Sequence, residues 1–97
     1  MPFVNIVIAE QQHVASVGQL FVSRGLAIPG SAWSASTVPH FATVRLACAG
    51  GAAAERANIA LYDDLLRTDL PADVRNVFSS LRAASLLNHL PAFESCS

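Results

Sequence analysis

The sequence predicts an all-α fold of three helices, and two observations carry this prediction. Apolar residues recur at the three- and four-residue spacing of a helix face in three segments, about 2–24, 40–67 and 71–90. The stretches between these segments are short or rich in Pro, Gly and Ser, as connections are. A chain of 97 residues is long enough for one core only, so we expect a single helical domain over residues 1–97.

The first helix carries an acid and an imidazole on its apolar face. Glu10 and His13 fall on one stripe with Phe3, Ile6, Val7, Val14, Val17, Leu20 and Phe21. The β-branched residues near the start also suit a strand, but the unbroken helical spacing favours a helix. Residues three apart are neighbours on a helix, so both side chains can converge on one point. Burying either without a partner costs several kcal/mol, so something must meet them.

A connection over residues 27–39 follows the first helix. We expect Gly25 to end that helix and Trp33 to anchor the connection against the bundle. The length is near the upper end for ordinary loops, and it favours a crossover from one end of the bundle to the other.

The second helix also has polar residues on its apolar stripe, namely Glu55 and Asn58. The pair Gly50 and Gly51 has two interpretations, because glycine weakens a helix by up to about 1 kcal/mol relative to alanine. Either the helix kinks or breaks there, or Gly51 lets a neighbouring helix approach closely.

The third helix follows so closely that it must be an antiparallel neighbour of the second. Its stripe includes His89, and Pro91 is expected to end it. Residues can be counted in both directions from the turn between the second and third helices, near Asp69. At 1.5 Å per residue, Glu55 then lies at the same height along the bundle as Ala84, and His89 lies roughly 7 Å farther from the turn. Side chains of antiparallel helices tilt toward each other here, so a contact between Glu55 and His89 stays open. We predict that Glu10, Glu55 and the His13 imidazole cluster in the interior.

The two cysteines, Cys48 and Cys96, lack the spacing of a zinc site. They form either one disulfide or two buried thiols. The same count places Cys48 level with Pro91, so the tail after Pro91 can bring Cys96 alongside, and we expect the two residues to lie close together.

Composition excludes some classes of function. The chain has six Arg and no Lys, its net charge is −1, and the arginines are scattered, so we expect no nucleic-acid partner. Charged residues interrupt every apolar run before the roughly 20 residues that a membrane span needs. The start of the chain lacks the charged region of a secretory signal, so the location stays open.

A hydrophobic fraction of 53% leaves apolar surface for a partner, and we expect a homo-oligomer, most simply a two-fold dimer.

Three motifs in this order resemble the ferritin-like superfamily, and most closely a bacterial ferritin-like domain family of unknown function. They are Asn5-Ile6-x-x-Ala9-Glu10-Gln11-Gln12-His13, Gly51-x-x-x-Glu55-x-x-Asn58-Ile59 and Leu81-Arg82-Ala83-Ala84-Ser85-x-x-Asn88-His89-Leu90-Pro91-Ala92-Phe93.

The resemblance implies a ferritin-like helical bundle in which the first of the usual four helices is absent. Glu10 and His13 match the Glu-x-x-His of the family's second helix, Glu55 matches the Glu of the third, and His89 matches the His of the fourth. Leu86 stands where the fourth helix would carry its Glu. The implied ligands for one iron, zinc or manganese ion are Glu10, His13, Glu55 and His89.

Two functions follow from this resemblance, and the sequence leaves open whether the protein is an enzyme. One is a metal-binding ferritin-like domain. The other is a non-catalytic helical module for structure or oligomerisation that has lost the metal site. A third class, a tautomerase that uses the amine of Pro2, requires a strand at the start, and the helical stripe argues against it.

Overall fold

The computed structural model describes residues 2–31 and 33–96, and all regular structure in this part of the chain is helical. The all-α prediction is therefore confirmed. The elements are α1 Phe3–Ser23, α2 Val44–Leu66, α3 Ala72–Ala84, a π-helical turn Ser85–His89, and α4 Leu90–Glu94. The last three are continuous, so the chain forms three helical segments.

The α1 helix runs antiparallel to α3 and α4. Phe3 packs against Phe93 of α4 with ring centroids 5.7 Å apart. At the other end, the guanidinium of Arg24 donates two hydrogen bonds, of 3.1 and 2.8 Å, to the carboxylate of Asp73 at the start of α3. This contact holds the pKa of Asp73 below its ordinary value. The two contacts fix both ends of α1 to the same partner helix.

The α2 helix is also antiparallel to α3. Arg82 of α3 donates to Asp63 near the end of α2, while the start of α2 is joined to the tail through Cys48 and Cys96. The α3 helix packs closely against both α1 and α2, whereas the backbones of α1 and α2 lie farther apart. Because α1 and α2 run parallel, the connection between them crosses from one end of the bundle to the other, as the sequence predicts.

Gly25 ends α1 in the expected way. Its φ of 67° is in the left-handed region, where a side chain would be strained. The amide of Leu26 donates to the carbonyl of Phe21, and that of Gly25 to Val22, at 2.9 and 3.0 Å. These are the two hydrogen bonds of a Schellman motif.

The α2 helix begins at Val44, four residues later than the predicted start at residue 40. The Thr43 hydroxyl accepts a hydrogen bond from the Leu46 amide at 3.1 Å and so caps the helix. The helix then passes Gly50 and Gly51 without a break. A break at this pair, which was part of one of the two alternatives, is therefore wrong.

Gly51 serves instead for close approach. A Cβ atom at Gly51 would lie 2.6 Å from two carbon atoms of the Phe93 ring, which is itself buried. The absent side chain therefore lets α4 pack directly against the backbone of α2.

The predicted end of the third helix at residue 90, before Pro91, is wrong, because the helix continues to Glu94. Proline clashes with the carbonyl four residues earlier in an α-helix and donates no hydrogen bond. The π turn resolves this conflict just before the proline, where the Leu90 amide donates to the Ser85 carbonyl five residues back. Because the π turn contains one extra residue, positions four apart stay on the same face of the helix. The buried residues on this face are Leu81, Ser85, His89 and Phe93.

The apolar core is small. Among the described residues, only Cys48, Ala52, Leu81 and Phe93 are buried apolar side chains.

Trp33 is 65% exposed, so the prediction that it anchors the connection is wrong. The connection is held locally instead, where the Thr37 hydroxyl accepts from the Ser34 amide at 2.7 Å. No helix in the described part of the chain has the length and apolarity needed to cross a membrane.

The predicted proximity of Cys48 and Cys96 is confirmed, and of the two alternatives the structure has the disulfide. Their Cα atoms are 5.8 Å apart and the bridge closes a loop of 48 residues. A loop of that length restricts the unfolded chain by roughly 4 kcal/mol in the chain-entropy estimate. The bridge therefore supplies stability that the small core lacks.

The glycine pair provides a matched test of packing. We expect Gly51→Ala to destabilise the protein, because the buried Phe93 ring must move, although alanine favours a helix by up to about 1 kcal/mol. Gly50→Ala is the control, since its Cβ would meet only the far end of the exposed Phe41 ring. Urea unfolding should show Gly50→Ala unchanged or more stable and Gly51→Ala less stable. Equal effects would contradict the close-approach interpretation.

Candidate metal centre

Three helical elements each contribute one side chain to a cluster in the interior. Glu10 comes from α1, Glu55 from α2 and His89 from the π turn, and one ligand atom of each lies within 4.8 Å of the other two. The His89 Nδ1 atom is 3.2 Å from Glu10 Oε1 and 3.3 Å from Glu55 Oε1. The side chains of Glu55 and His89 are 5% and 6% exposed, while that of Glu10 is 44% exposed.

The buried atoms of this cluster lack ordinary hydrogen bonds. Glu55 Oε2 and His89 Nδ1 have no hydrogen-bond partner among the described residues. The two short distances from His89 Nδ1 to carboxylate oxygens lack the direction that a ring N–H donor requires. A nitrogen and two oxygens thus converge without donating to one another. Such convergence of lone pairs is the arrangement of metal ligands.

His13 lies at the edge of the cluster. Its Nδ1 atom is 3.2 Å from Glu10 Oε2, whereas Glu10 Oε1 is the oxygen beside His89. Its ring also stacks against that of His89, with centroids 5.7 Å apart. The predicted clustering of carboxylates with an imidazole is therefore present, but His13 reaches the group through Glu10 and lies outside the three converging ligands. It holds the orientation of the Glu10 carboxylate.

The two carboxylates have no arginine partner in the described part of the chain. Arg24, Arg56, Arg67 and Arg82 each pair with an acid elsewhere in the bundle. Two adjacent carboxylates repel each other, and removing them from water is costly without a cation. The cluster is therefore rich in negative charge and needs a positive ion or protons.

Tyr62 was not among the residues predicted for the site. Burial raises the pKa of its phenol above the ordinary value of 10.0, and the charges of Glu10 and Glu55 raise it further. Tyr62 lies seven residues after Glu55, which is two helical turns. This spacing places both side chains on one face of α2, and it could have identified Tyr62 as a neighbour of the site from the sequence.

A cavity of about 370 Å³ opens beside the cluster. Glu10, His13 and Tyr62 border it, and the remaining walls are mostly apolar: Val14, Val17, Phe21, Ile28, Pro29 and Leu81. Glu55 and His89 do not line it, so the half-exposed side of Glu10 is the face of the cluster that a small molecule can approach.

No family model, curated protein or solved structure matches this chain. The likeness to the ferritin-like superfamily therefore stays a prediction from the three sequence motifs.

The chain's single tyrosine lets the field of the two carboxylates be measured. We expect Tyr62 to titrate above 10.0, and Glu10→Gln to lower its pKa because a nearby negative charge is removed. The exposed acid in Asp64→Asn is the control and should leave the titration unchanged. Tyrosinate absorbance against pH measures the effect.

The sign of the pH dependence follows from the same shift. The folded protein holds the phenol proton more tightly than the unfolded chain does, so stability should fall as the pH rises above 10.0. A Tyr62 pKa at or below the ordinary value, or one that Glu10→Gln does not change, would contradict this description of the site.

Proposed function

We propose that this protein is a ferritin-like helical domain that binds one divalent transition-metal ion through Glu10, Glu55 and His89. The observation that carries the proposal is the convergence of two carboxylates on a buried imidazole nitrogen that has no hydrogen-bond partner among the described residues. Iron, zinc and manganese are the candidate ions, because mixed imidazole and carboxylate ligands suit all three.

The spacing of the ligand atoms supports this proposal. Ligand atoms at about 2.0–2.1 Å from a tetrahedral ion lie about 3.3 Å from one another. The distances from His89 Nδ1 to Glu10 Oε1 and Glu55 Oε1 are 3.2 and 3.3 Å. Two of the three ligand pairs therefore already have the separation that an ion requires, and the oxygens of Glu10 and Glu55 lie within 4.8 Å of each other. The charge of an ion would offset that of the two carboxylates.

With only three protein ligands, the bound ion would have an open coordination position for a water or a substrate. Closed structural zinc sites use four protein ligands, whereas sites that act on a water or a substrate usually have three. An ion with an open position acts as a Lewis acid, and iron or manganese also supports redox chemistry. His13 fixes the orientation of Glu10, a role in which outer partners typically change metal affinity 10- to 100-fold.

The ferritin-like part of the proposal rests on the motifs and on the helix arrangement. The long crossover between parallel α1 and α2, with α3 antiparallel to both, is an arrangement found in ferritin-like bundles. Leu86 stands where the family's last Glu is expected, which favours one ion over two.

Calorimetric titration of metal-free protein with Zn²⁺, Mn²⁺ and, without oxygen, Fe²⁺ tests this function. We expect one ion per chain for at least one of these metals. Glu55→Gln and His89→Ala should each abolish the binding, and His13→Ala should weaken it roughly 10- to 100-fold. Asp64→Asn and His40→Ala remove an exposed acid and an exposed imidazole, and they are the matched controls that should bind like the parent.

Unfolding measurements separate lost binding from lost structure. We expect Glu55→Gln to be at least as stable as the parent without metal, because one of two repelling carboxylates becomes neutral. The parent should gain about 2.7 kcal/mol at a metal concentration 100 times the dissociation constant. The absence of binding for all three ions, or equal binding by the parent, Glu55→Gln and His89→Ala, would instead favour a non-catalytic helical module.

A further inference from the structure

The chain exposes more surface than a folded monomer of its size. Its accessible surface is 6563 Å². A monomer with its mass of 10.2 kDa exposes about 5,300 Å². The Cα radius of gyration is 14.6 Å, against about 12.5 Å for a compact domain of this length. Part of this excess of roughly 1,200 Å² comes from the exposed connection between α1 and α2, and part comes from apolar helix surface that a second molecule can cover.

Four of the fourteen exposed large apolar side chains lie together on one face of α1, among them Val7 and Val14, which the sequence placed on the inward stripe. This face, which we call the α1 stripe, consists of Val4, Val7, Ile8, Gln11, Val14 and Ala15. Its four large apolar side chains are between 51% and 71% exposed. They recur at the spacing of a single helix face, so they form one continuous patch. By contrast, Leu86 and Leu90 on the last helical segment are half-buried.

The chemistry of the α1 stripe restricts what can cover it. Glu10 is the only acid in α1, and the helix contains no Arg or Lys. The stripe itself is uncharged, so a nucleic acid or an acidic peptide finds no complementary charge. The same stripe on a second copy is equally apolar and uncharged. Obligate homodimers bury about 2,000 Å² or more in total, or about 1,000 Å² from each chain, and the excess surface of the whole chain, to which the α1 stripe contributes, is of that size.

We propose that the α1 stripe is the interface of a two-fold homodimer in which the two α1 helices pack antiparallel, with Gln11 beside the axis. The stripe is nearly symmetric about this residue, since Val7 and Ile8 precede it at the spacing at which Val14 and Ala15 follow it. A two-fold axis there places each pair against the other pair of the second copy. The two Gln11 amides can then hydrogen-bond to each other.

The proposed interface is continuous with the metal centre. An apolar depression lined by Ile6, Val7, Gln11 and Val14 extends to Glu10. A second copy seated on the α1 stripe therefore lies beside the half-exposed Glu10 carboxylate and reduces its contact with water. A bound ion offsets the charge that this burial disfavours, so metal should tighten the dimer. This coupling, unlike the interface itself, rests on the proposed function.

Sedimentation equilibrium over micromolar concentrations tests the interface. We expect the parent to be a dimer and Ile8→Glu to weaken it at least about 100-fold, because a charge would be buried without a partner. Leu46→Glu is the matched control: Leu46 is 52% exposed and Ile8 is 51% exposed, but Leu46 lies on α2. It should remain a dimer, and circular dichroism should show that both variants are folded.

Several results would overturn this proposal. One is a monomeric parent at every loading, with and without metal. Another is dissociation by Leu46→Glu but not by Ile8→Glu, which would place the interface elsewhere. A third is a dissociation constant that neither substitution changes.

Glu55→Gln separates this proposal from the metal site. It leaves the α1 stripe intact, so we expect it to dimerise with the affinity of the metal-free parent and to show no tightening when metal is added. A parent that binds metal but stays monomeric contradicts the dimer alone. A dimer that loses affinity in Ile8→Glu but binds no metal supports the interface and contradicts the metal centre.

Discussion

Two carboxylates converge on one buried imidazole nitrogen, and the arrangement of all three helices is needed to hold them there. Glu10, Glu55 and His89 come from three different helical elements, so the cluster exists only in the folded chain. Like charges at this separation oppose folding unless a cation or protons offset them. This electrostatic cost is the reason why we propose a metal ion as the occupant of the centre, and it would link metal binding to stability.

The rest of the fold can be understood as support for this centre. The crossover makes α1 and α2 parallel and leaves both against α3, while the π turn keeps His89 on the inward face. Gly51 admits Phe93 next to α2, and the Cys48–Cys96 bridge secures the tail. With few buried apolar residues, the fold depends on this bridge for part of its stability.

Sequence periodicity predicted the three helical segments and the burial of Glu55. It was only partly right for α1, where Glu10 is 44% exposed and Val7 and Val14 of the predicted stripe face solvent. It could not decide the contact of His89 with Glu55. The residue count from the turn between α2 and α3 assumed a regular α-helical rise. The π turn contains one extra residue, so His89 lies about 1.5 Å closer to that turn than the count predicted. Pro91 was interpreted as a stop because proline usually ends a helix. Trp33 was expected to be buried because hydrophobicity alone does not reveal whether a neighbour is present.

X-ray absorption spectroscopy of protein loaded with one equivalent of Zn²⁺ tests the central claim most directly. We predict nitrogen and oxygen ligands at about 2.0–2.1 Å, the outer scattering of a single imidazole, and no sulfur. The imidazole signal should disappear in His89→Ala and persist in His13→Ala. An imidazole signal that survives in His89→Ala, or a spectrum of hydrated zinc in the parent, would contradict the proposed centre.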